Sequence, residues 1–146
     1  MRGLAYLLGI VSGFGLTLQI GMNSRLRTLL QSANTAALVS FLVGTIALTG
    51  LLLATRAPLP DRDTLASVPL WAWFGGLMGA FYVAISTVVA SQLGTASLLG
   101  LALLGQLAMS LTADHFGWMG LPVHPISLTR LAGVALLGAG VWLITR

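Results

Sequence analysis

Five long apolar runs constrain this chain more than any other feature of its sequence. A helix rises about 1.5 Å per residue, so roughly 20 residues cross a hydrocarbon core of about 30 Å. The runs have 17 to 21 residues and lack the period-two alternation of membrane strands. Because a helix pairs its own backbone groups, as hydrocarbon demands, we predict an all-α integral membrane protein with five transmembrane helices. The predicted spans are residues 4–22, 36–54, 70–90, 96–113 and 128–144.

The composition agrees with this interpretation and excludes other classes of protein. Only 7% of the 146 residues are charged, against about 25% in an ordinary soluble domain. The basic residues are all arginines and outnumber the acids by seven to three. They lie mostly in short connections, where they suit lipid phosphates, so we expect a lipid bilayer as partner and no nucleic acid. The sequence has no cysteine, which excludes disulfides and thiolate metal sites.

The connections between the predicted spans are too short to hold a folded soluble domain. The longest, residues 55–69, contains three prolines, and only residues 91–95 separate the third and fourth runs. The first run is longer than the apolar part of a signal peptide, and no A-x-A-type cleavage site follows it. We therefore predict that residues 1–146 form a single transmembrane domain.

The arginines are distributed almost evenly between the two sides of the membrane that five spans would define. An excess of Lys and Arg in cytoplasmic loops normally orients a membrane protein. Here one side would carry four arginines and the other three, which predicts dual topology, with the chain inserting both ways up. The alternative is a single orientation with a weak bias. The two groups are Arg2, Arg56, Arg62 and Arg130 against Arg25, Arg27 and Arg146.

Polar side chains recur at helical spacing inside several of the predicted spans. Such groups are costly in lipid unless they face other helices or a water-filled cavity. They are interpreted either as contacts that hold helices together or as the lining of a central substrate cavity. The carboxamides favour the cavity, because two donors and two lone pairs are hard to satisfy by packing alone. The candidate substrate-binding residues are Gln19, Asn23, Ser40, Tyr82, Ser86, Gln106 and Ser110.

The glycines inside the runs have two interpretations of their own. The sequence contains 18 glycines, and Gly9 with Gly13 and Gly75 with Gly79 form GxxxG pairs of the kind that lets helices approach closely. They indicate either close packing or helices that bend and slide during a conformational cycle.

The order of these segments resembles the YdcZ-like family of the drug/metabolite transporter superfamily. The most specific part is the stretch G-Q-L-A-M-S-L-T-A-D-H-F-G-W, residues 105–118. The resemblance implies a five-helix unit equivalent to half of a ten-helix, EamA-type transporter fold built from inverted repeats. Such a half needs a second copy of itself, or a paralogue, as an antiparallel dimer. The family also implies a bacterial inner (plasma) membrane location.

The resemblance also brings in small multidrug exporters, which use a glutamate inside the first helix. This chain has no acid within any predicted span, so we expect neutral or zwitterionic solutes rather than exchange of cations at a central carboxylate. Asp114 and His115 are candidates for proton coupling, since a histidine titrates near neutrality. The alternative is a structural pair at a helix end that joins cap, loop and Arg130.

The sequence has no constellation typical of a metal site, a phosphate-binding loop or a catalytic triad. We therefore expect no enzyme activity, no catalytic residues, no metal and no cofactor. The function predicted is a secondary-active transporter that moves a small metabolite or drug-like solute by alternating access. A dual-topology channel for a small ion and an accessory membrane subunit are the alternatives.

Overall fold

A computed structural model describes residues 2–146, and its regular structure is helical throughout that range. Two short 3₁₀ segments, Leu70–Phe74 and Trp118–Gly120, accompany the α-helices. The six α-helices are α1 (Arg2–Leu30), α2 (Ala33–Thr55), α3 (Arg62–Ser67), α4 (Gly75–Leu93), α5 (Thr95–Phe116) and α6 (Leu128–Ile144).

Several helices extend beyond the apolar runs because a charge ends a hydropathy run without ending a helix. Residues 23–30 contain two arginines but no Pro or Gly, and α1 continues through them to reach 29 residues. At about 1.5 Å per residue this helix is about 43 Å long, which exceeds a hydrocarbon core of about 30 Å. The predicted connection at residues 23–35 is thus mostly helical, and α2 already begins at Ala33.

The helices fit a membrane by length and apolar composition. Four qualify as spans within the described residues: Gly3–Leu30, Ala33–Thr55, Leu70–Leu93 and Thr95–Phe116. The last helix, Leu128–Ile144, is apolar but has only 17 residues. The all-helical membrane class is confirmed, whereas a fifth crossing by this shorter helix stays a prediction.

A two-residue turn joins α1 to α2. Gln31 adopts a left-handed backbone conformation with φ of 52°, which ends α1. Ser32 then caps α2, since its Oγ accepts a hydrogen bond of 3.2 Å from the backbone N–H of Thr35. A turn this short makes the two helices antiparallel neighbours, and they pack against each other as a helical hairpin.

The longest connection carries the short helix α3. Asp61 caps it by accepting a hydrogen bond of 2.8 Å from the backbone N–H of Thr64. Hydrogen bonds from the side chain and backbone of Thr64 lower the pKa of the Asp61 carboxyl below its usual value. The cap is therefore fully formed at neutral pH and is lost only when acidification protonates this carboxylate.

The chain divides into two compact units whose boundary falls within α4, one ending at Val88 and the other comprising Val89–Arg146. In the first unit α1 packs against α2, and Ile20 of α1 and the small residues Ala36 and Ala37 of α2 are buried. Small residues at such positions allow helix backbones to approach closely. Gly79 of α4 likewise leaves room for Phe41 of α2, because a Cβ added at Gly79 would lie 3.2 Å from Cζ of Phe41.

In the second unit α5 packs against α6. The closest approach is at Gly100, where an added Cβ would lie 3.0 Å from a methyl group of the buried Val141. Gly9, Gly13 and Gly75 have open space where a Cβ would lie, so close packing within the described chain explains only some of the glycines noted in the sequence.

Gly117 closes the carboxyl end of α5 and starts the loop to α6. Its φ is 62°, and its N–H bonds the carbonyl of Ala113. A Cβ at this position would lie 2.8 Å from Cγ2 of Val123, because the loop folds back over the helix end. Gly120 in the same loop also has a positive φ, 77°, but has open space where its Cβ would be.

We expect Gly117→Ala to destabilise the protein more than Gly120→Ala. Both substitutions place a Cβ on a left-handed backbone, at a cost of roughly 1–2 kcal/mol, but only the first adds a steric clash of roughly 1–3 kcal/mol. Thermal unfolding of the purified variants in detergent, followed by tryptophan fluorescence, measures the difference. Equal losses in Tm would contradict the close contact between this turn and Val123.

Candidate functional site

A cleft between α1 and α2 is the feature of the first unit best suited to hold a small molecule. Its volume is about 500 Å³, within the range of roughly 300–1,000 Å³ typical of ligand sites. It lies in the half of the hairpin nearest the Gln31–Ser32 turn. Apart from three polar side chains its lining is apolar or glycine: Gly15, Leu18, Met22, Leu26, Val39 and Val43.

The polar residues that line this cleft are Gln19, Asn23 and Ser40. Gln19 and Asn23 are four residues apart on α1 and therefore share one helix face, and Ser40 faces them from α2. Asn23 is only 6% exposed. Within residues 2–146 none of the three side chains makes a hydrogen bond to another protein group. The structure thus brings three of the predicted site residues together with their hydrogen-bonding capacity unused.

Several other hydroxyl groups on the same helices are bonded within their own helix, unlike that of Ser40. Ser12 donates to the carbonyl of Gly9 at 2.7 Å, and Thr45 donates to that of Phe41 at 2.8 Å. Such bonds satisfy a hydroxyl within its own helix. Ser40 does not form one, and with Gln19 it also lines a second, smaller cleft of about 210 Å³. Gln19 and Ser40 are therefore shared by both openings.

Tyr82 and Ser86 lie on α4 and do not line the α1–α2 cleft. Ser86 is buried and donates to the carbonyl of Val83 at 3.0 Å, so its hydroxyl is satisfied within α4. The hydroxyl of Tyr82 is buried and has no hydrogen-bond partner within residues 2–146. A buried hydroxyl without a partner lowers the stability of the fold by roughly 1–3 kcal/mol. The hydroxyl of Tyr82 can therefore still bond a further group.

Gln106 and Ser110 belong to the second unit. They lie four residues apart on α5, and both are exposed. Their side chains make no hydrogen bond within the described chain. Their place in a cavity shared with α1 stays a prediction.

The other predicted pair, Asp114 and His115, is engaged by the loop that leads to α6. Nη2 of Arg130 lies 3.1 Å from Oδ2 of Asp114, and Nη1 of Arg130 donates to the carbonyl of His124. The backbone N–H of His124 in turn bonds the carbonyl of Asp114 at 2.9 Å. These contacts clamp the loop at both of its ends.

His115 adds a contact from the other side of the same loop. Its Nδ1 accepts a hydrogen bond of 3.3 Å from the backbone N–H of Ile126, so the arrangement requires an imidazole without a proton on Nδ1. Its ring also packs edge-on against Phe116 at 4.9 Å between centroids. These contacts match the structural alternative for the Asp114–His115 pair, and the proton-coupling role stays a prediction.

The order of charges in the ion pair opposes both helix dipoles. Asp114 lies in the last turn of α5 and Arg130 in the first turn of α6, whereas cations are favoured at helix C-termini and anions at N-termini. Their side chains are 26% and 37% exposed, and such a pair contributes up to about 1 kcal/mol. Helix stability therefore does not account for this order of charges.

Two features were not among the predicted site residues: the buried hydroxyl of Ser24, which has no partner within residues 2–146, and the apolar wall of the cleft. That wall had a signal in the sequence, since Met22 and Leu26 continue at helical spacing the stripe that starts at Gly15 and Gln19. No group of three or more potential metal ligands comes together in the part of the chain that the structure describes.

Together, the apolar helices define a polytopic helical membrane protein, and the α1–α2 cleft is its candidate site for a small solute. Residues 4–143 match the family described as "Putative inner membrane exporter, YdcZ". The chain belongs to this family, as the resemblance in its sequence predicted.

A curated relative agrees with this assignment. The chain is 28% identical over 137 residues to the "Inner membrane protein YdcZ" of Escherichia coli (strain K12), covering 94% of this chain and 91% of that protein. No solved structure matches the chain. The predicted class and location are confirmed: this is a membrane transporter rather than an enzyme, and it resides in the inner membrane.

Exchanging the two charged residues tests what the Asp114–Arg130 pair does. We expect Asp114→Asn to lower thermal stability by up to about 1 kcal/mol. The double variant Asp114→Arg with Arg130→Asp restores the pair and also aligns both charges with the helix dipoles, so its Tm should return to within a few degrees of wild type. A double variant no more stable than Asp114→Asn would contradict the ion pair as the contact that closes this loop.

Proposed function

We propose that this protein is one half of a secondary-active transporter that exports a small solute across the inner membrane. The observation that carries the proposal is the α1–α2 cleft, where three polar side chains have no hydrogen-bond partner among the described residues and the rest of the lining is apolar. A volume of about 500 Å³ suits a solute better than the narrow polar track of an ion channel. The direction follows the family description, which is that of an exporter.

The proposal extends to an antiparallel dimer of two five-helix units with ten spans in all. Its support is the nearly even division of arginines, which permits both orientations. Further support comes from α1, whose described side chains are exposed except for a few such as Ile20 and Asn23. Alternating access between two inverted units then places the solute between them.

The remaining polar candidates complete the proposed site from other helices. Tyr82 would contribute an aromatic ring and its unpaired hydroxyl, and Gln106 and Ser110 would contribute groups from α5. Ser86 has the least support, because its hydroxyl is already bonded within α4. Proton coupling through Asp114 and His115 predicts that Asp114→Asn removes proton dependence while solute exchange continues.

The first test removes one carboxamide from the cleft. Gln19→Leu keeps the approximate volume but deletes the hydrogen bonds, each worth roughly 1–3 kcal/mol of binding, so we expect solute transport into proteoliposomes to fall by about one to two decades. Gln92→Leu is the matched control, because Gln92 is exposed near the end of α4 and lines none of the described clefts. Unchanged transport with a lowered Tm for Gln19→Leu would show that this residue only holds helices together.

The second test concerns orientation. Reporters fused to the C-terminus should signal from both the cytoplasm and the periplasm, because the arginine count of four against three gives almost no bias. Two lysines added near either end should drive most copies into one orientation and reduce transport. A single orientation of the unmodified protein would contradict dual topology.

The third test concerns the dimer. The natural sequence has no cysteine, so single-cysteine variants give a clean background for cross-linking. In an antiparallel pair, a cysteine in the α1–α2 turn should join one introduced in the α2–α3 connection of a second copy, because these segments would lie on the same side of the membrane. Transport by a monomer isolated at low protein-to-lipid ratio would refute the dimer.

A further inference from the structure

The charge of the α1–α2 cleft sets a limit on what it can bind. None of the side chains that line it is ionisable. A charged solute entering an apolar site without a counter-charge loses its hydration and gains no ion pair, which costs several kcal/mol. The cleft therefore discriminates against ions of either sign.

The polar groups of the cleft specify the shape of the complementary solute. Each of the carboxamides of Gln19 and Asn23 presents an N–H donor beside a carbonyl acceptor, and the hydroxyl of Ser40 can serve as either. A carboxamide pairs best with a solute edge that also presents a donor beside an acceptor. Amides, lactams, ureas and amide-like edges of heterocycles have this arrangement.

The burial of Asn23 strengthens this conclusion. Its side chain is more than nine-tenths buried, opens onto the cleft and has no partner within residues 2–146. Its carboxamide opens onto the cleft, where a solute can supply hydrogen bonds. The apolar wall formed by residues such as Met22 and Leu26 suits a ring or short hydrocarbon body attached to that polar edge.

We propose that the cleft selects uncharged solutes that carry an amide-type edge on an apolar or aromatic body, with Gln19 as the residue that sets charge selectivity. This inference rests on the proposed function, since it names the substrate class of the same site. Gln19 holds this role because it is the exposed member of the two carboxamides and lines both the larger and the smaller cleft.

Three probes of nearly identical shape separate the effect of solute charge on binding from the effect of solute size: benzamide, benzamidinium and benzoate. Their binding to the purified protein in nanodiscs of uncharged phosphatidylcholine is measured by equilibrium dialysis at pH 8, with empty nanodiscs subtracted. We expect benzamide to bind at least about tenfold more tightly than either ion, because only the ions require an absent counter-charge.

A single substitution should invert this order. Gln19→Glu keeps the size of the side chain and adds a negative charge, so benzamidinium should become the tightest ligand of the three, by about tenfold or more over benzamide. Gln92→Glu adds the same charge outside the cleft and should leave benzamide preferred. Circular dichroism and Tm establish that both variants fold as the wild type does.

The outcomes separate this inference from the proposed function. Equal binding of all three probes, no binding of any, or an unchanged order in a folded Gln19→Glu variant would overturn the selectivity. If the predicted order is found but the protein moves no solute across a proteoliposome membrane, the transporter proposal fails while the binding site stands. If the protein transports solutes without regard to charge, the transporter proposal stands and this inference fails.

Discussion

In hydrocarbon a polar group without a partner has no water to compensate it, and this constraint governs the structure at every level. It explains why the described regular structure is helical, since a helix pairs its own backbone. It also explains why hydroxyl groups such as those of Ser12, Thr45 and Ser86 bond carbonyls of their own helices. Against this background Gln19, Asn23 and Ser40, whose side chains have no partner in the part of the chain that the structure describes, are exceptions.

Exceptions of this kind are expected where a protein keeps binding capacity for something else. The three groups lie in one cleft and come from two helices that a two-residue turn holds together. Ile20 of α1 and the small side chains Ala36 and Ala37 of α2 are buried. The packing of α2 against α1 positions Ser40 opposite the two carboxamides.

In the loop between α5 and α6, charged side chains are likewise paired with nearby groups. Arg130 bonds Asp114 at the end of α5 and the carbonyl of His124 within the loop, so it ties the start of α6 to both. Gly117 permits the sharp turn of the chain. Its positive φ disfavours any side chain, and the nearby Val123 leaves no space for a Cβ. The order of the two charges opposes the helix dipoles, so closing the loop, rather than stabilising either helix, is what this pair does.

Much of this arrangement follows from the sequence, and the rest depends on contacts between distant residues. The apolar runs predicted the helices, and the spacing of Gln19 and Asn23 predicted their common face. The end of α1 was placed too early, because Arg25 and Arg27 interrupt hydropathy without breaking a helix. That Ser40 rather than Tyr82 or Ser86 faces the carboxamides depends on how α2 rotates against α1, and single-helix patterns carry no information on that rotation.

The most direct test of the account is whether water reaches the cleft. In the cysteine-free background, Ser40→Cys should react with a water-soluble maleimide in native membrane vesicles, because the thiol would line a partly polar opening. Ile46→Cys on the same helix is the matched control, since Ile46 is 71% exposed but lines none of the described clefts, and in lipid its thiol should stay unmodified. Rapid labelling at Ser40 and none at Ile46 is the predicted result, whereas equal labelling or an inert thiol at Ser40 would contradict a solute site between α1 and α2.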